Sequence, residues 1–276
     1  MRVKSLHIYP VKAMQAVDMI EASVETRGLS RDRRWMLIDA NGKFISQREQ
    51  PKLAQVRARP TPEGLVLSAP QRQDIPVATP DANSAPLPAT LWKRDIKVIS
   101  AGDTAQHWCS SFLGVECTLV YQGGLLRPVS ETWGKPGDEN SFADSAPLLI
   151  TTTASLDDLN RRMGKTIPMN RFRPNIVIDG DEAWAEDGWR TLRIGGIELE
   201  IIKPCTRCAV TTTDQETGEK SGNEPLATLK TFRLIRQPHL TGAVFGQNAV
   251  PRKLGVIKAG DRVEILSTRA APDYLL

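Results

Sequence analysis

Short runs of β-forming residues, separated by turn residues, constrain the fold of this chain more than any other sequence feature. The first third contains the runs "VKSLHIYPVK", "VDMIEASVE" and "PEGLVLSAP". The segment "RRWMLIDANGKFISQR" predicts a hairpin, because Asn41-Gly42 between two apolar runs favours a tight turn with positive φ. Closely spaced short strands of this kind predict a small β-barrel or β-sandwich.

Three segments interrupt this pattern and predict helices. In "AGDTAQHWCSSFLG", Asp103 is the expected N-cap and Gly114 the expected end of the helix. A second helix is expected to follow a strand, with its cap near Thr153 or Ser155. A third opens in "NEPLATLKTFRLI", with Pro225 in the first turn, where its missing N–H costs little.

The second half adds further strands, among them "FRPNIVIDG", "TLRIGGIELEII", "CAVTTTD" and a final strand pair around the turn at residues 259–261. We therefore predict a mostly β chain with a few helices (α+β), organised as two β-rich units. The units are placed at residues 1–120 and 121–270, and residues 271–276 form a tail. The polar segment "RPVSETWGKPGDENSFADSAP" is too long for an ordinary connection, which favours a functional loop or a domain junction.

Composition indicates a globular protein whose partners are small molecules. The 276 residues are 40% hydrophobic, enough for a sizeable core, and the net charge of +4 is spread along the chain. Because no basic tail is present, nucleic acid is not an expected partner, and a small phosphorylated anion suits the charges better. No run of about 18 apolar residues and no N-terminal apolar signal is visible, so we predict a cytoplasmic protein with reduced thiols and no membrane partner.

The stretch "IIKPCTRCAV" holds two of the four cysteines in a C-x-x-C spacing. Zinc would need about four ligands, and no second cysteine pair or histidine pair stands at a suitable spacing. Thiol–disulfide exchange favours a C-x-x-C that opens a helix, whereas the residues after Cys208 look strand-like. Buried structural cysteines are the ordinary alternative. Because Lys203 and Arg207 are nearby cations, a single thiolate on a cofactor-held metal also stays open.

Several separated motifs give the chain a resemblance to the MOSC superfamily: "YPVKAM", "RDRRW", "NRFRPNIVIDG", "KPCTRCAVTTTDQETG" and "FGQN". Within it, the chain most resembles the bacterial YcbX-type proteins and the mitochondrial amidoxime-reducing component, over about residues 2–268. The resemblance implies an N-terminal MOSC β-barrel domain followed by a MOSC β-barrel domain. Two positions depart from the family pattern, since Ala13 and Ala146 each lack a hydroxyl whose hydrogen bond is worth about 1 kcal/mol.

The resemblance also implies a molybdenum cofactor, a pterin that carries a dithiolene and a phosphate. In the family's Cys-x-Arg-Cys motif the second cysteine binds the metal, which here implies Cys208, with Cys205 as a supporting or simply buried residue. Cations and amide groups suit a phosphate and a polar pterin edge. The residues that match the family's cofactor-binding positions are Lys12, Arg33, Ser145, Ala146, Arg173, Asn175, Thr206 and Arg207.

The activity that the resemblance implies is the reduction of N-oxygenated compounds such as amidoximes, N-hydroxylated bases and hydroxylamines. Two alternatives stay open: a cofactor carrier or sulfur-transfer protein without such turnover, and a β-barrel interaction module with structural cysteines. No set of four clustered cysteines is present for an iron–sulfur centre. A reductase would therefore receive electrons from a separate flavoprotein or iron–sulfur protein, and a monomer would suffice.

Overall fold

The computed structural model describes residues 1–81, 83–220 and 222–275, and within these ranges the protein is mostly β. The predicted combination of many strands and a few helices is confirmed. No helix in these ranges is long and apolar enough to cross a membrane. The α-helices are α1 (Asp103–Leu113), α2 (Thr153–Met163) and α3 (Leu226–Phe232).

Nineteen strands account for the β structure of the described residues. Those before residue 122 are β1 (Val3–Ile8), β2 (Val17–Met19), β3 (Glu21–Glu25), β4 (Gly28–Leu29), β5 (Trp35–Ile38), β6 (Arg57–Pro60), β7 (Gly64–Ser68), β8 (Ile75–Ala78), β9 (Leu87–Leu91), β10 (Arg94–Ser100) and β11 (Thr118–Tyr121). Those after it are β12 (Leu148–Thr152), β13 (Ile176–Ile178), β14 (Trp189–Ile194), β15 (Ile197–Thr206), β16 (Leu234–Gln237), β17 (Leu240–Lys253), β18 (Gly255–Lys258) and β19 (Val263–Thr268). The predicted tail, 271–276, ends at Leu276, which lies outside the described residues.

The first two helices begin one or more residues away from their predicted caps. Gly102 is the N-cap of α1, and Asp103 is the first helical residue, where its carboxylate suits the positive end of the helix dipole. In α2 the cap is Thr152, whose hydroxyl accepts a hydrogen bond from the backbone N–H of Ser155 at 3.2 Å. Gly114 ends α1 in the left-handed conformation, as predicted.

Three other local predictions need correction. Residues Ala209–Thr212 form a 3₁₀ turn rather than a strand, because the Thr211 hydroxyl turns back to donate to the Cys208 carbonyl at 2.9 Å. The strands that flank the turn at residues 259–261 do not pair with each other, since β18 pairs with β3 and β19 with β14. Pro225 precedes α3 as its N-cap instead of lying in its first turn.

A nine-stranded sheet organises the molecule and crosses the sequence boundary predicted at residue 120. Its order is β19-β14-β15-β17-β12-β13-β1-β2, and β16 also pairs with β17. The neighbours are antiparallel except for β12 and β13, whose parallel pairing uses a crossover through α2. Strands β1 and β2 come from the first 19 residues, so the start of the chain completes a sheet built mainly by its second half.

Three smaller sheets complete the β structure, with the orders β5-β11-β10-β9, β6-β7-β8 and β18-β3-β4. The predicted hairpin turn is present with Gly42 at φ 76°, but its second arm is reduced to a single bridge between Ile38 and Phe44. Helix α1 packs into the core of the first half, which also buries Cys109 and Cys117. Burial raises the pKa of both thiols, so these two cysteines are structural and unreactive.

Gly246 in β17 is predicted to tolerate no side chain. Its φ is 78°, and a Cβ there would lie 2.8 Å from the Ile150 carbonyl oxygen and 2.8 Å from Thr151 Cγ2. Gly246→Ala should therefore lower the free energy of unfolding by a left-handed backbone cost of about 1–2 kcal/mol plus an overpacking cost of about 1–3 kcal/mol. Urea denaturation measures this loss.

Gly260→Ala is the matched control, because Gly260 has φ 90° and no described atom within 4 Å of the added Cβ. This variant should lose only the backbone cost of about 1–2 kcal/mol. Equal losses in the two variants would contradict the close packing of β17 against β12.

Candidate functional site

One cleft gathers all the residues that the sequence predicts for the site, from both halves of the chain. The predicted residues that line it are Lys12, Arg33, Ser145, Ala146, Arg173, Asn175, Thr206, Arg207 and Cys208. Lining residues that the sequence did not indicate include Phe44, Gln47, Arg48, Trp92, Asp144 and Phe172. The structure thus brings together positions that are almost 200 residues apart in the sequence.

Several of the residues that line the cleft lie just beyond the ends of strands. After β1 ends, the backbone N–H of Lys12 donates to the Trp35 carbonyl at 2.8 Å, and that of Arg33 donates to the Tyr9 carbonyl at 2.7 Å. Strand β15 ends one residue before Arg207, whose own N–H still bonds to β17 at 2.7 Å. Backbone hydrogen bonds therefore fix the positions from which these side chains reach the cleft.

Three residues of the cleft adopt a left-handed backbone conformation that is unusual for residues other than glycine. The φ angles are 70° at Ala13, 51° at Arg33 and 56° at Arg173. Each costs about 1–2 kcal/mol relative to a right-handed conformation. Such strain concentrates at functional sites, where the surrounding structure holds it in place.

A buried tyrosine separates two of the cations. The guanidinium carbons of Arg33 and Arg173 lie 4.4 Å and 4.2 Å from the centroid of the Tyr9 ring. Burial raises the pKa of Tyr9 to about 12 although Arg173 and Arg33 oppose this, and its hydroxyl donates to the Pro174 carbonyl at 3.2 Å. Tyr9 therefore stays neutral, and its ring gives both cations a cation–π contact.

Arg33 and Arg173 differ in how many of their guanidinium N–H groups have hydrogen-bond partners. Arg33 donates to Asp32 Oδ2 at 2.6 Å, to Asn175 Oδ1 at 3.2 Å and to the Arg173 carbonyl at 3.2 Å. Burial disfavours its charge, but Asp32 outweighs this and raises the pKa of Arg33. Arg173 donates to Gln215 Oε1 at 3.1 Å, its buried Nη2 has no partner among the described residues, and burial lowers its pKa to about 10. Of these two arginines, Arg173 is therefore the one with a buried N–H group that lacks a partner among the described residues.

Lys12 is a buried ammonium held between aromatic rings. Its Nζ donates to the Phe142 carbonyl at 2.9 Å, forms an ion pair with Asp144, and lies 5.3 Å and 5.7 Å from the ring centroids of Phe44 and Trp92. Burial lowers the pKa of Lys12, although Asp144 opposes the effect. Desolvation in the cleft opposes ionisation of Asp144, but Lys12 lies close enough to lower the pKa of this carboxyl, whose side chain is 60% exposed.

The two cysteines of the C-x-x-C lie in different environments. Arg207 Nη1 donates to the half-buried Cys205 Sγ at 2.9 Å, and Arg207 Nη2 donates to the Phe172 carbonyl at 2.6 Å. The Nε of Arg207 is buried without a partner among the described residues. Cys208 is exposed and lines the cleft. Of the two thiols, that of Cys208 is therefore the more accessible to a ligand.

The predicted polar loop before β12 is organised by a buried arginine. Arg127 donates to the carbonyls of Ser141 at 2.5 Å and Asp144 at 3.0 Å, and burial lowers its pKa to about 10. These bonds fold the backbone of the loop around the guanidinium. As a result the loop carries Asp144 and Ser145 to the cleft.

Asn175 lines the cleft, but its amide group is already engaged within the protein. Its Oδ1 accepts from the Leu149 N–H at 3.1 Å and from Arg33, and its Nδ2 donates to the His7 carbonyl at 3.1 Å. Asn175 thus ties β1 and β12 to Arg33. A direct contact between Asn175 and a pterin edge stays a prediction.

A pair of glutamines belongs to the site although the sequence gave no signal for it. Gln47 and Gln215 exchange amide hydrogen bonds of 3.0 Å and 2.9 Å, Gln47 also donates to the Ala13 carbonyl at 2.7 Å, and Gln215 accepts from Arg173. Gln215 stands within the motif at residues 203–218, but glutamines are normally surface residues, so neither it nor Gln47 was selected from the sequence. They connect the first half of the chain to Arg173.

The charges of the cleft favour an anionic ligand. Its lining carries five basic side chains and one carboxylate, that of Asp144. In the described part of the chain, no group of three or more His, Cys, Asp or Glu side chains is arranged to hold a metal ion. A metal at Cys208 would therefore need most of its ligands from a bound cofactor.

Comparison with known proteins identifies the family. Residues 1–116 match the MOSC N-terminal beta barrel domain, and residues 137–264 match the MOSC domain. The chain is 36% identical to mitochondrial amidoxime-reducing component 1 of Mus musculus and 35% identical to that of Homo sapiens, covering 96% of this chain and 82% of each relative. It is 34% identical to mitochondrial amidoxime reducing component 2 of Homo sapiens, covering 95% of this chain and 82% of the relative. The chain therefore belongs to the family of two-domain MOSC proteins that includes the mitochondrial amidoxime-reducing components.

Proposed function

We propose that this protein is a molybdenum-cofactor-dependent reductase of small N-oxygenated compounds, with the Cys208 thiolate as the metal ligand. The observation that carries the proposal is the convergence of all nine predicted residues on one basic cleft that also exposes Cys208. The names of the relatives support the substrate class, since they describe reduction of amidoximes.

The donor set of the cleft fits a group that carries a phosphate and a polar pterin. Arg173 Nη2 and Arg207 Nε are buried N–H groups without partners among the described residues. A buried donor left unsatisfied costs about 1–3 kcal/mol, and a hydrogen bond to a charged group contributes about 1.5–3 kcal/mol. Lys12, Arg33, Arg173 and Arg207 would hold the anionic and polar parts of the cofactor, and the soft Cys208 sulfur would bind the metal.

In this proposal the side chains of the cleft would bind and orient the cofactor while keeping their own charges. When bound, the cofactor would supply the two electrons for reductive cleavage of an N–O bond, and a separate flavoprotein or iron–sulfur protein would replace them. Cys208 lies on the exposed side of the cleft, where a small substrate can approach from solvent. Asp144 stays ionised because its pKa is lowered beside Lys12, so it balances charge and does not supply the proton.

Asp214 is also unsuited to proton donation. Backbone N–H groups of Thr217 and Glu216 bond its carboxylate and lower its pKa, and Arg171 pairs with it at 3.0 Å. Asp214 therefore shapes the turn after the 3₁₀ segment. Protons for the reaction would come from water at the exposed face of the cleft.

Replacement of Cys208 should separate the proposed metal ligand from its neighbour. Cys208→Ala should lose amidoxime reduction by more than the 10–100-fold that changes behind a metal ligand typically cost, because the ligand itself is removed. Cys205→Ala removes only the acceptor of Arg207 Nη1, so a loss of about tenfold is expected. The measurement is amidoxime reduction by chemically reduced protein, together with molybdenum and pterin content.

The same measurements decide between the reductase and the alternative functions. Loss of activity in Cys205→Ala but not in Cys208→Ala would show that the ligand assignment is wrong. Stoichiometric molybdenum and pterin without amidoxime reduction would favour a cofactor carrier. A persulfide on a cysteine, seen by mass spectrometry, would favour sulfur transfer, and absence of both metal and pterin would sink the proposal.

Lys12 provides a prediction that does not depend on turnover. Lys12→Met should lower pterin content by about 10–100-fold, which corresponds to loss of a charged hydrogen bond of about 1.5–3 kcal/mol. The free energy of unfolding of the cofactor-free protein should fall by about 1–3 kcal/mol, because the buried Phe142 carbonyl loses its donor, whereas Asp144 is 60% exposed and can be hydrated. Pterin fluorescence after oxidation and urea denaturation measure the two effects.

Lys4→Met is the control, since Lys4 is an exposed lysine on the neighbouring strand β1. It should leave both pterin content and stability unchanged. If Lys12→Met retained full pterin content, the assignment of Lys12 to the cofactor phosphate would be incorrect.

A further inference from the structure

Tyr9, which contacts Arg33 and Arg173 of the first cleft, also lines a second cleft. Its lining includes Ser5, His7 and Asp18, and its volume is about 940 Å³. Tyr9 and Gln215 also line it, and these two residues hold Arg173 of the first cleft. Tyr9 and Gln215 therefore connect the two clefts through Arg173, while Ser5, His7 and Asp18 have no role in the proposed reduction.

The strand geometry points three of these side chains into the second cleft. Side chains alternate along β1, so Leu6 and Ile8 enter the core while Ser5 and His7 face outward on the opposite side. Asp18 is the direct cross-strand partner of His7 in the antiparallel pair of β1 and β2. The three residues are thus neighbours on one sheet face, fixed by the backbone ladder.

Their hydrogen bonds have the connectivity of a nucleophile, a base and an orienting carboxylate. Asp18 Oδ1 lies 2.7 Å from His7 Nδ1, and Ser5 Oγ lies 2.8 Å from His7 Nε2. A carboxylate can only accept a hydrogen bond. In the neutral imidazole, Nδ1 therefore carries the hydrogen and donates a hydrogen bond to Asp18. Nε2 is then the acceptor of the Ser5 hydroxyl proton, which is the arrangement that activates a serine.

The cleft also contains a cation that could bind a polarised carbonyl oxygen. Arg57 donates through Nε to Gln15 Oε1 at 2.9 Å, and its terminal guanidinium nitrogens have no partner among the described residues. A cation of this kind can stabilise an oxyanion.

We propose that Ser5, His7 and Asp18 form a second, metal-independent site that transfers the acyl group of small carboxylic esters to water. Ser5 Oγ bonds to the carbonyl carbon as His7 Nε2 takes its proton, and the bond from that carbon to the leaving oxygen breaks as His7 returns the proton to the departing alcohol. Water, deprotonated by His7 Nε2, then bonds to the acyl carbon. The bond from that carbon to Ser5 Oγ breaks as His7 returns the proton to Ser5 Oγ, and the carboxylic acid is released. The steps conserve atoms and electrons without any further reactant.

The solvent exposure of His7 and Asp18 determines how much activity each substitution is expected to cost. His7 is 19% exposed in its side chain, whereas Asp18 is 86% exposed, so solvent screens the charge of Asp18. General-base catalysis typically contributes about 10²–10⁴-fold. Loss of His7 should therefore matter far more than loss of the Asp18 charge, and activated esters should react while amides do not.

The test is covalent labelling of the purified full chain by a fluorescent fluorophosphonate, followed by peptide mapping, with p-nitrophenyl acetate hydrolysis as a second readout. The variants are Ser5→Ala, His7→Phe and Asp18→Asn. Ser68 lines the same cleft and has no histidine bonded to it among the described residues, so it is an internal control for non-specific labelling.

We expect the probe to label Ser5 and Ser5→Ala to remove this labelling. His7→Phe should slow the labelling by about 10²-fold, and Asp18→Asn should slow it by less than about tenfold. Ser5→Ala should retain amidoxime reduction, so the two functions fail independently. The proposal is overturned if Ser5 labels no faster than Ser68, if His7→Phe labels at the wild-type rate while its circular dichroism is unchanged, or if Ser5→Ala abolishes amidoxime reduction.

Discussion

The contact on which the candidate cofactor site depends is Tyr9 between the guanidinium groups of Arg33 and Arg173. Two buried cations repel each other, and each loses hydration on burial. The ring provides each cation with a favourable contact of about 0.5–2 kcal/mol, while the fully buried Asp32 accepts from the Tyr9 backbone at 2.8 Å and from Arg33. Tyr9 thereby offsets part of the cost of bringing two positive charges close together.

The large sheet explains why these distant residues meet. Strand β1 runs antiparallel to β13, with Leu6 opposite Ile176, so the end of β1 lies beside the beginning of β13. The segment that carries Tyr9 and Lys12 therefore lies next to the segment that carries Arg173. Strand β17 connects β15 to β12 on the other side, which brings the end of β15 toward the same region. The site is a consequence of strand order and not of a single loop.

Local sequence signals predict elements better than they predict partners. The Asn41-Gly42 turn and the helix end at Gly114 depend on backbone conformations that a few residues decide, and both are present. The pairing of β1 with β13 depends on contacts across more than 160 residues, so no local pattern contains it. Motif resemblance identified the residues of the cleft. The Gln47–Gln215 pair was missed, because it is defined only by the contact between two residues that are far apart in the sequence.

The C-x-x-C shows how the end of one strand decides chemistry that spacing leaves open. Cys205 remains in β15, where Arg207 donates to its sulfur at 2.9 Å. Two residues later the strand has ended, and the threonine hydroxyls bond back to the backbone to form a 3₁₀ turn. That turn leaves Cys208 exposed at the cleft. A continuing strand, as the sequence indicated, would have kept Cys208 in the sheet, so the error in secondary structure and the asymmetry of the thiols have the same physical cause.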